Sequence, residues 1–217
     1  MNSTTASNTQ KISLNWASPG NHFPTLSLIL PSQGQHVWIA LSQKEPAQEI
    51  YKRAQILKII DNENASIKCD DNQNEIINVK ADKIFPSTNH ELHPKGFNDM
   101  MDIEDLNEPE LLHNIQQRFR QNQIFTYVGP TLITINPYKY LADLFENGTL
   151  EKYQEAITNF ELKDYDPHVY AISAAAISNI TENQRPQAIV ISGESGAGKT
   201  ETAKYAMKFL TSITSTL

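Results

Sequence analysis

The stretch Gly193-Glu194-Ser195-Gly196-Ala197-Gly198-Lys199-Thr200 decides the reading of this chain, because it satisfies G-x-x-x-x-G-K-[ST]. Glycines let the backbone curl until successive N–H groups face one point. Those donors, with the positive end of a following helix, suit phosphate oxygens. Lys199 supplies a compact positive charge for β- and γ-phosphates, and the Thr200 hydroxyl is a ligand for Mg²⁺. The flanks fit the motif. Ala188 to Ile191 is an apolar, β-rich run, expected as a buried strand. A helix is expected from about Lys199, with Ala203, Ala206, Met207, Leu210 and Leu217 on one face.

Upstream, residues 97–217 predict an α/β segment. Asn107 is a helix cap with Glu108 and Pro109 in the first turn, and Leu112, Ile115 and Phe119 form the expected apolar stripe. Ile124 to Val128 and Thr131 to Ile135 flank Gly129-Pro130, which predicts a hairpin ending at Asn136-Pro137. A helix is expected from about Thr149 to Phe160. Another is expected with Asp166 as cap, Pro167 at its first position, and Val169, Ile172, Ala176 and Ile180 along its face. Gln184-Arg185-Pro186 breaks it. Residues 33–86 carry four or five short β runs between turn-rich segments, which predicts a small all-β barrel closed by Ile84-Phe85-Pro86. Residues 1–32, rich in Ser, Thr and Asn at the start, are expected to be a flexible extension, with Leu26 to Leu30 as a clasp.

Two patterns suggest metal and fail on spacing. Asp70-x-Asn72-x-Asn74 starts like a calcium loop, but Glu75 stands where glycine is needed and Ala81 where the bidentate glutamate is needed. A hairpin turn is expected instead. His90 and His93 are three apart and precede Pro94, whereas a zincin helix needs histidines four apart. They are expected to be linker residues. The single cysteine, Cys69, makes neither an internal disulfide nor a cysteine zinc site.

Composition narrows the partners. The 217 residues carry 18 Lys and Arg against 25 Asp and Glu, a net charge of −7. No basic footprint for nucleic acid and no polybasic membrane patch is visible. No apolar run reaches the length of a membrane span, and the first residues lack the pattern of a secretion signal, so a cytoplasmic setting is expected.

Several blocks together resemble the N-terminal part of the myosin motor domain. The loop is similar to the myosin P-loop, including its Glu-Ser-Gly-Ala interior. Asn107-Glu108-Pro109 with Leu111-Leu112-His113-Asn114 resembles the first motor helix. Ile124 to Gly129 and Ile135-Asn136-Pro137-Tyr138-Lys139 resemble the hairpin and the adenine-side loop, and Pro167 to Ala171 the helix before the P-loop strand. The blocks occur in family order across residues 97–217, and residues 33–86 resemble the SH3-like barrel of several myosin classes. The resemblance implies an α/β P-loop NTPase motor core preceded by an SH3-like barrel. It implies ATP with Mg²⁺ as ligands, Asn136, Pro137, Tyr138 and Lys139 beside the base, and Glu201 near the base side. Through segments beyond this chain it implies actin filaments as partner and a cytoskeletal location.

One position departs from the pattern. Eight residues after Asn136, where the family often has a purine-side tyrosine, stands Leu144, with Phe145 next to it. The switch segments that would position the attacking water are expected beyond Leu217, so no catalytic residue is assigned. Without its neighbours on a central sheet, the P-loop strand is expected to leave its apolar faces and edges exposed. Two other classes stay open at this point. One is a self-contained P-loop kinase or ATPase drawing a carboxylate from Asp99, Asp102, Glu104 or Asp105, a set otherwise expected to be a solvated face. The other is an interaction module built on the barrel.

Overall fold

The computed structural model describes residues 30–41, 50–70, 76–146, 148–155, 157 and 164–214. The expectations for residues 1–29, and for most of the end of the helix expected from Thr149 to Phe160, lie outside the described residues.

Five strands make the first layer: β1 (His36–Ala40), β2 (Tyr51–Ile59), β3 (Asn64–Cys69), β4 (Ile76–Lys80) and β5 (Ile84–Pro86), all antiparallel in the order β4-β3-β2-β1-β5. Alternation in the sequence puts Ile39, Ile56, Ile67, Cys69 and Ile84 into one buried cluster. Ile84-Phe85-Pro86 pairs with β1, opposite Ile39, Trp38 and Val37. The outer strands β4 and β5 are not paired with each other. Consecutive β3 and β4 pair antiparallel; the turn expected across residues 70–75 lies, apart from Asp70, outside the described residues.

The second part contains helix α1 (Glu108–Arg120), a hairpin of β6 (Phe125–Val128) and β7 (Thr131–Thr134), and helices α2 (Ala142–Phe145), α3 (Thr149–Glu155), α4 (Val169–Asn183) and α5 (Lys199–Thr214). Asn107 caps α1 as expected, its side chain accepting from the Glu110 N–H at 3.1 Å. The expected stripe holds in part: Ile115 packs against Phe97, Met100 and Ile103, and Leu112 is half-buried. Phe119 is exposed, and the buried positions are Pro109, Glu110, Asn114 and Arg118. The three polar ones lie four residues apart, on one face. Each satisfies main chain that would otherwise be buried unpaired. Asn114 accepts from the Phe97 N–H at 2.7 Å and donates to its carbonyl at 3.2 Å. Arg118 donates to Phe125 O, Thr126 Oγ1 and Asn98 Oδ1 at 2.7 to 2.9 Å. Gly96 has φ +72°, and a Cβ there would sit 2.7 Å from Asn114 Oδ1, so only glycine lets this loop approach the helix.

Helix α4 starts later than the Asp166-Pro167 pair suggests. His168 is the cap, its Nδ1 accepting from the Tyr170 N–H at 3.0 Å. Asp166 is drawn away: its carbonyl accepts from the hydroxyls of Tyr127 and Tyr153, and its carboxylate meets Lys152. The buried residues of α4 are Val169, Tyr170, Ala171, Ser173, Ala174 and Ser178, while Ile180 of the expected stripe is exposed. On α5, Ala206 and Phe209 face inward and Met207 faces out. Leu217 lies outside the described residues. Tyr170 stacks on Phe209 with ring centroids 5.3 Å apart, and Phe145 stacks on Tyr205 at 3.7 Å, which locks α2, α4 and α5 into one aromatic core.

Candidate functional site

The glycine-rich loop runs from Gly193 into the first turn of α5. Its three glycines all have positive φ: 151° at Gly193, 81° at Gly196 and 92° at Gly198. Residues with a Cβ would be strained there. The main chain turns through Ala197 N–H donating to Glu194 O at 3.2 Å, and Thr202 N–H donates to Gly198 O at 2.9 Å. Among the described residues, the N–H groups of Gly196, Gly198, Lys199 and Thr200 have no protein acceptor. They cluster at the positive end of a 16-residue helix. Lys199 folds back over the loop, its Nζ donating to Gly193 O at 2.8 Å and Glu194 O at 2.9 Å. Thr200 is exposed, as are Glu194 and Ser195, while Ala197 is half-buried.

The segment Asn136 to Lys139 stands beside this loop, as far as its first and third members go. Asn136 Nδ2 donates to Gly196 O at 2.8 Å, and a Cβ on Gly198 would lie 3.7 Å from Asn136 Cβ. Asn136 Oδ1 also accepts from the Tyr138 N–H at 2.9 Å, holding Tyr138 at φ 50°. The Tyr138 hydroxyl lies 3.6 Å from where a Gly196 Cβ would be, and its side chain is 84% exposed. Pro137 is half-buried between them. Lys139 turns elsewhere, its Nζ donating to Asn122 Oδ1 at 2.7 Å. Glu201 is exposed and accepts from Lys204 at 2.7 Å, an i,i+3 surface pair that contributes little. The two motif blocks are 60 residues apart in sequence and one hydrogen bond apart in space. The register is set by α1: Arg118 fixes β6, β6 pairs β7, and β7 leads into Asn136.

The run before the loop overturns an expectation. Ala188 to Ile191 is not a buried strand: it has no ladder partner among the described residues, and Val190 is 87% exposed. A strand is buried by its neighbours on both edges and faces, and among the described residues no strand pairs with this run. Ala188 and Val190 are exposed, while Ile189 and Ile191 are half-buried. A cavity of about 630 Å³ lies along it, between β7, α4 and the first turn of α5.

Leu144 is half-buried, and Phe145 beside it is stacked flat on Tyr205, so its ring face is occupied within the core. Asp99 is not a spare carboxylate. Its Oδ1 accepts from the N–H groups of Met101 and Gly129, tying a 3-10 turn to the hairpin. His90 lies in the connecting segment, as expected, but the sequence reading missed its burial. It is buried, with Nε2 3.2 Å from Glu110 Oε1, because the buried carboxylate of α1 needs a donor. Glu110 itself was missed too, since a charged residue inside a helix reads as solvent-facing.

The family model for the myosin head (motor domain) matches residues 97–217. The chain belongs to the myosin head family. Among its relatives, the Myosin-M heavy chain of Dictyostelium discoideum is 41% identical over 116 residues, covering 54% of this chain and 6% of that protein. Myosin-16 of Arabidopsis thaliana is 35% identical over 175 residues, covering 81% of this chain and 13% of that protein. Protein OPAQUE1 of Zea mays is 38% identical over 143 residues, covering 65% of this chain and 9% of that protein. The chain therefore spans about a tenth of the length of the relatives it matches. Among the described residues, no helix of this myosin head segment is long and apolar enough to cross a membrane.

Proposed function

We propose that this chain is the nucleotide-binding part of an actin-based motor with a P-loop NTPase core, and that Gly193 to Thr200 bind the phosphates of ATP with Mg²⁺. The observation that carries the reading is the loop itself: unpartnered N–H groups at the start of α5, glycines at positive φ, and Asn136 bonded to Gly196 O. The donor set fits a polyphosphate, because backbone N–H groups and one ammonium lie on the same loop. Lys199 exchanges its two loop carbonyls for phosphate oxygens, trading neutral acceptors for charged ones. The Thr200 hydroxyl, exposed at the helix start, would hold the Mg²⁺ that accompanies the nucleotide. Asn136, Pro137 and Tyr138 lie on the base side. The Mg²⁺ neutralises phosphate charge when bound. Hydrolysis and movement along actin belong to the whole motor, which acts in the cytoplasm on the cytoskeleton.

The test is equilibrium binding of a fluorescent ATP analogue with Mg²⁺. Lys199→Ala loses a charge-assisted contact and weakens binding at least about tenfold, since such hydrogen bonds are worth roughly 1.5 to 3 kcal/mol. Far-UV circular dichroism stays unchanged, because the side chain bonds only its own loop. Equal affinity in the variant overturns the assignment.

A further inference from the structure

The junction between the five-stranded sheet and α1 is built around one wholly buried carboxylate. Glu110 has no exposed surface. Its Oε1 accepts from Trp38 Nε1 of β1 at 2.7 Å and from the Thr88 N–H at 2.9 Å. His90 Nε2 straddles the carboxylate, 3.2 Å from Oε1 and 3.0 Å from Oε2, with bonding geometry only to the first. One turn along α1, His113 packs its ring between Trp38 and His90, with centroids 5.0 and 4.2 Å away. Strand, connecting segment and helix thus meet in one cluster of two imidazoles, an indole and a carboxylate.

We propose that Glu110, His90, His113 and Trp38 form an acid-released latch, through which proton uptake loosens the five-stranded sheet from the motor segment. The His113 ring stands 4.2 Å from a second imidazole, so a proton added to it brings charge up against His90. Burial, then the charge on His90, hold its pKa down, to about 4, while Glu110 pulls the other way and Arg53 of β2 and Arg120 of α1 add to the depression. For Glu110, burial raises the pKa, but the hydrogen bonds from His90, Trp38 and Thr88 more than offset it and leave it lowered. The signs agree. Both groups bind protons more readily when the junction is open, so closure is favoured at neutral pH and lost on acidification. For His113 the window runs from 6.5 down to about 4, which lowers the closed-to-open ratio by up to about 300-fold. Other groups around the cluster act as follows. Asp105 opposes the release, because burial and then Glu104 and Glu110 raise its pKa. Asp70 lies 3.7 Å from Arg53 and 3.1 Å from His36, tempering the positive side. The Tyr51 hydroxyl bonds Glu108 and titrates only at alkaline pH. The latch does not depend on the nucleotide reading.

The experiment uses the full chain with Trp16→Phe, so that Trp38 is its sole tryptophan. Emission of Trp38 and far-UV circular dichroism are followed together from pH 7.5 to 4.5. The latch predicts a red shift of Trp38 while the dichroism is retained, and a shift already present at pH 7 in Glu110→Gln. In His113→Phe the acid shift moves to lower pH or disappears. A flat Trp38 signal overturns the proposal, as does a shift that only accompanies loss of dichroism, since that is plain acid unfolding. Histidine NMR on the unsubstituted chain guards against a variant that fails to fold: His113 titrating near 6.5 also overturns it.

Discussion

The five-stranded sheet and the loop-bearing half of the chain solve opposite problems. In the sheet, each of β1, β2 and β3 has two neighbours, and the apolar positions Ile39, Ile56 and Ile67 are 0 to 1% exposed. In the other half, the run Ala188 to Ile191 has the apolar character of a central strand but no ladder partner among the described residues. Next to it, the loop leaves backbone N–H groups unspent at the start of α5. The centre of the sheet has spent its donors and apolar surface in pairing, while the loop-bearing half leaves some of both unspent among the described residues. Stored binding capacity of this kind costs local stability, which is why sites lie where folding is least complete.

Substitutions turn that contrast into numbers. The largest effect is expected in the sheet. Ile56→Ala, 1% exposed, removes core volume that its neighbours cannot refill, and about 2 to 5 kcal/mol of stability should go with it. Urea unfolding followed by Trp38 emission measures this, and a loss under about 1 kcal/mol would mean the sheet core is looser than its burial implies. A middle effect is expected at Gly198→Ala. Space is available, with Asn136 at 3.7 Å, but φ is +92°, so the cost is conformational and of the order of 1 kcal/mol. Its signature should be weakened nucleotide-analogue binding with little change in the sheet's unfolding. The smallest effect is expected at Val190→Ser. The side chain is 87% exposed, so stability should stay within about 0.5 kcal/mol. A large loss there would show that this run is covered in solution and would erase the contrast. Amide exchange gives the same comparison without mutation: the N–H groups of residues 188–191 should exchange far faster than those of Val37 to Ile39.

Local signals in the sequence were read well where one residue decides the backbone. Asn107 caps α1, Gly129 turns the hairpin at φ 55°, and Gln184 ends α4 at φ 49°. The loop's glycines follow the same rule, which is why the candidate site could be named from spacing alone. Apolar stripes did worse. On α1 the stripe pointed to Leu112, Ile115 and Phe119; Ile115 packs on the core and Leu112 is half-buried, but Phe119 is exposed, and Glu110, Asn114 and Arg118 are among the fully buried positions. Those three are buried because each answers an exposed need of another segment: Trp38 and Thr88, then Phe97, then Phe125 and Thr126. Periodicity counts hydrophobicity and is blind to such partners. The same blindness hid His90 and placed the α4 cap at Asp166 instead of His168.

The sequence by itself determined the family, the glycine-rich loop, the β-rich first part and the helix following the loop, because these rest on short-range steric rules and on motifs of fixed spacing. Only the tertiary structure decided that Asn136 meets Gly196 across 60 residues, that Lys139 turns to Asn122 instead, and that a carboxylate lies sealed between Trp38 and two histidines. Each of those depends on which long-range partner satisfies a buried or strained group, and that choice exists only once the chain has closed on itself.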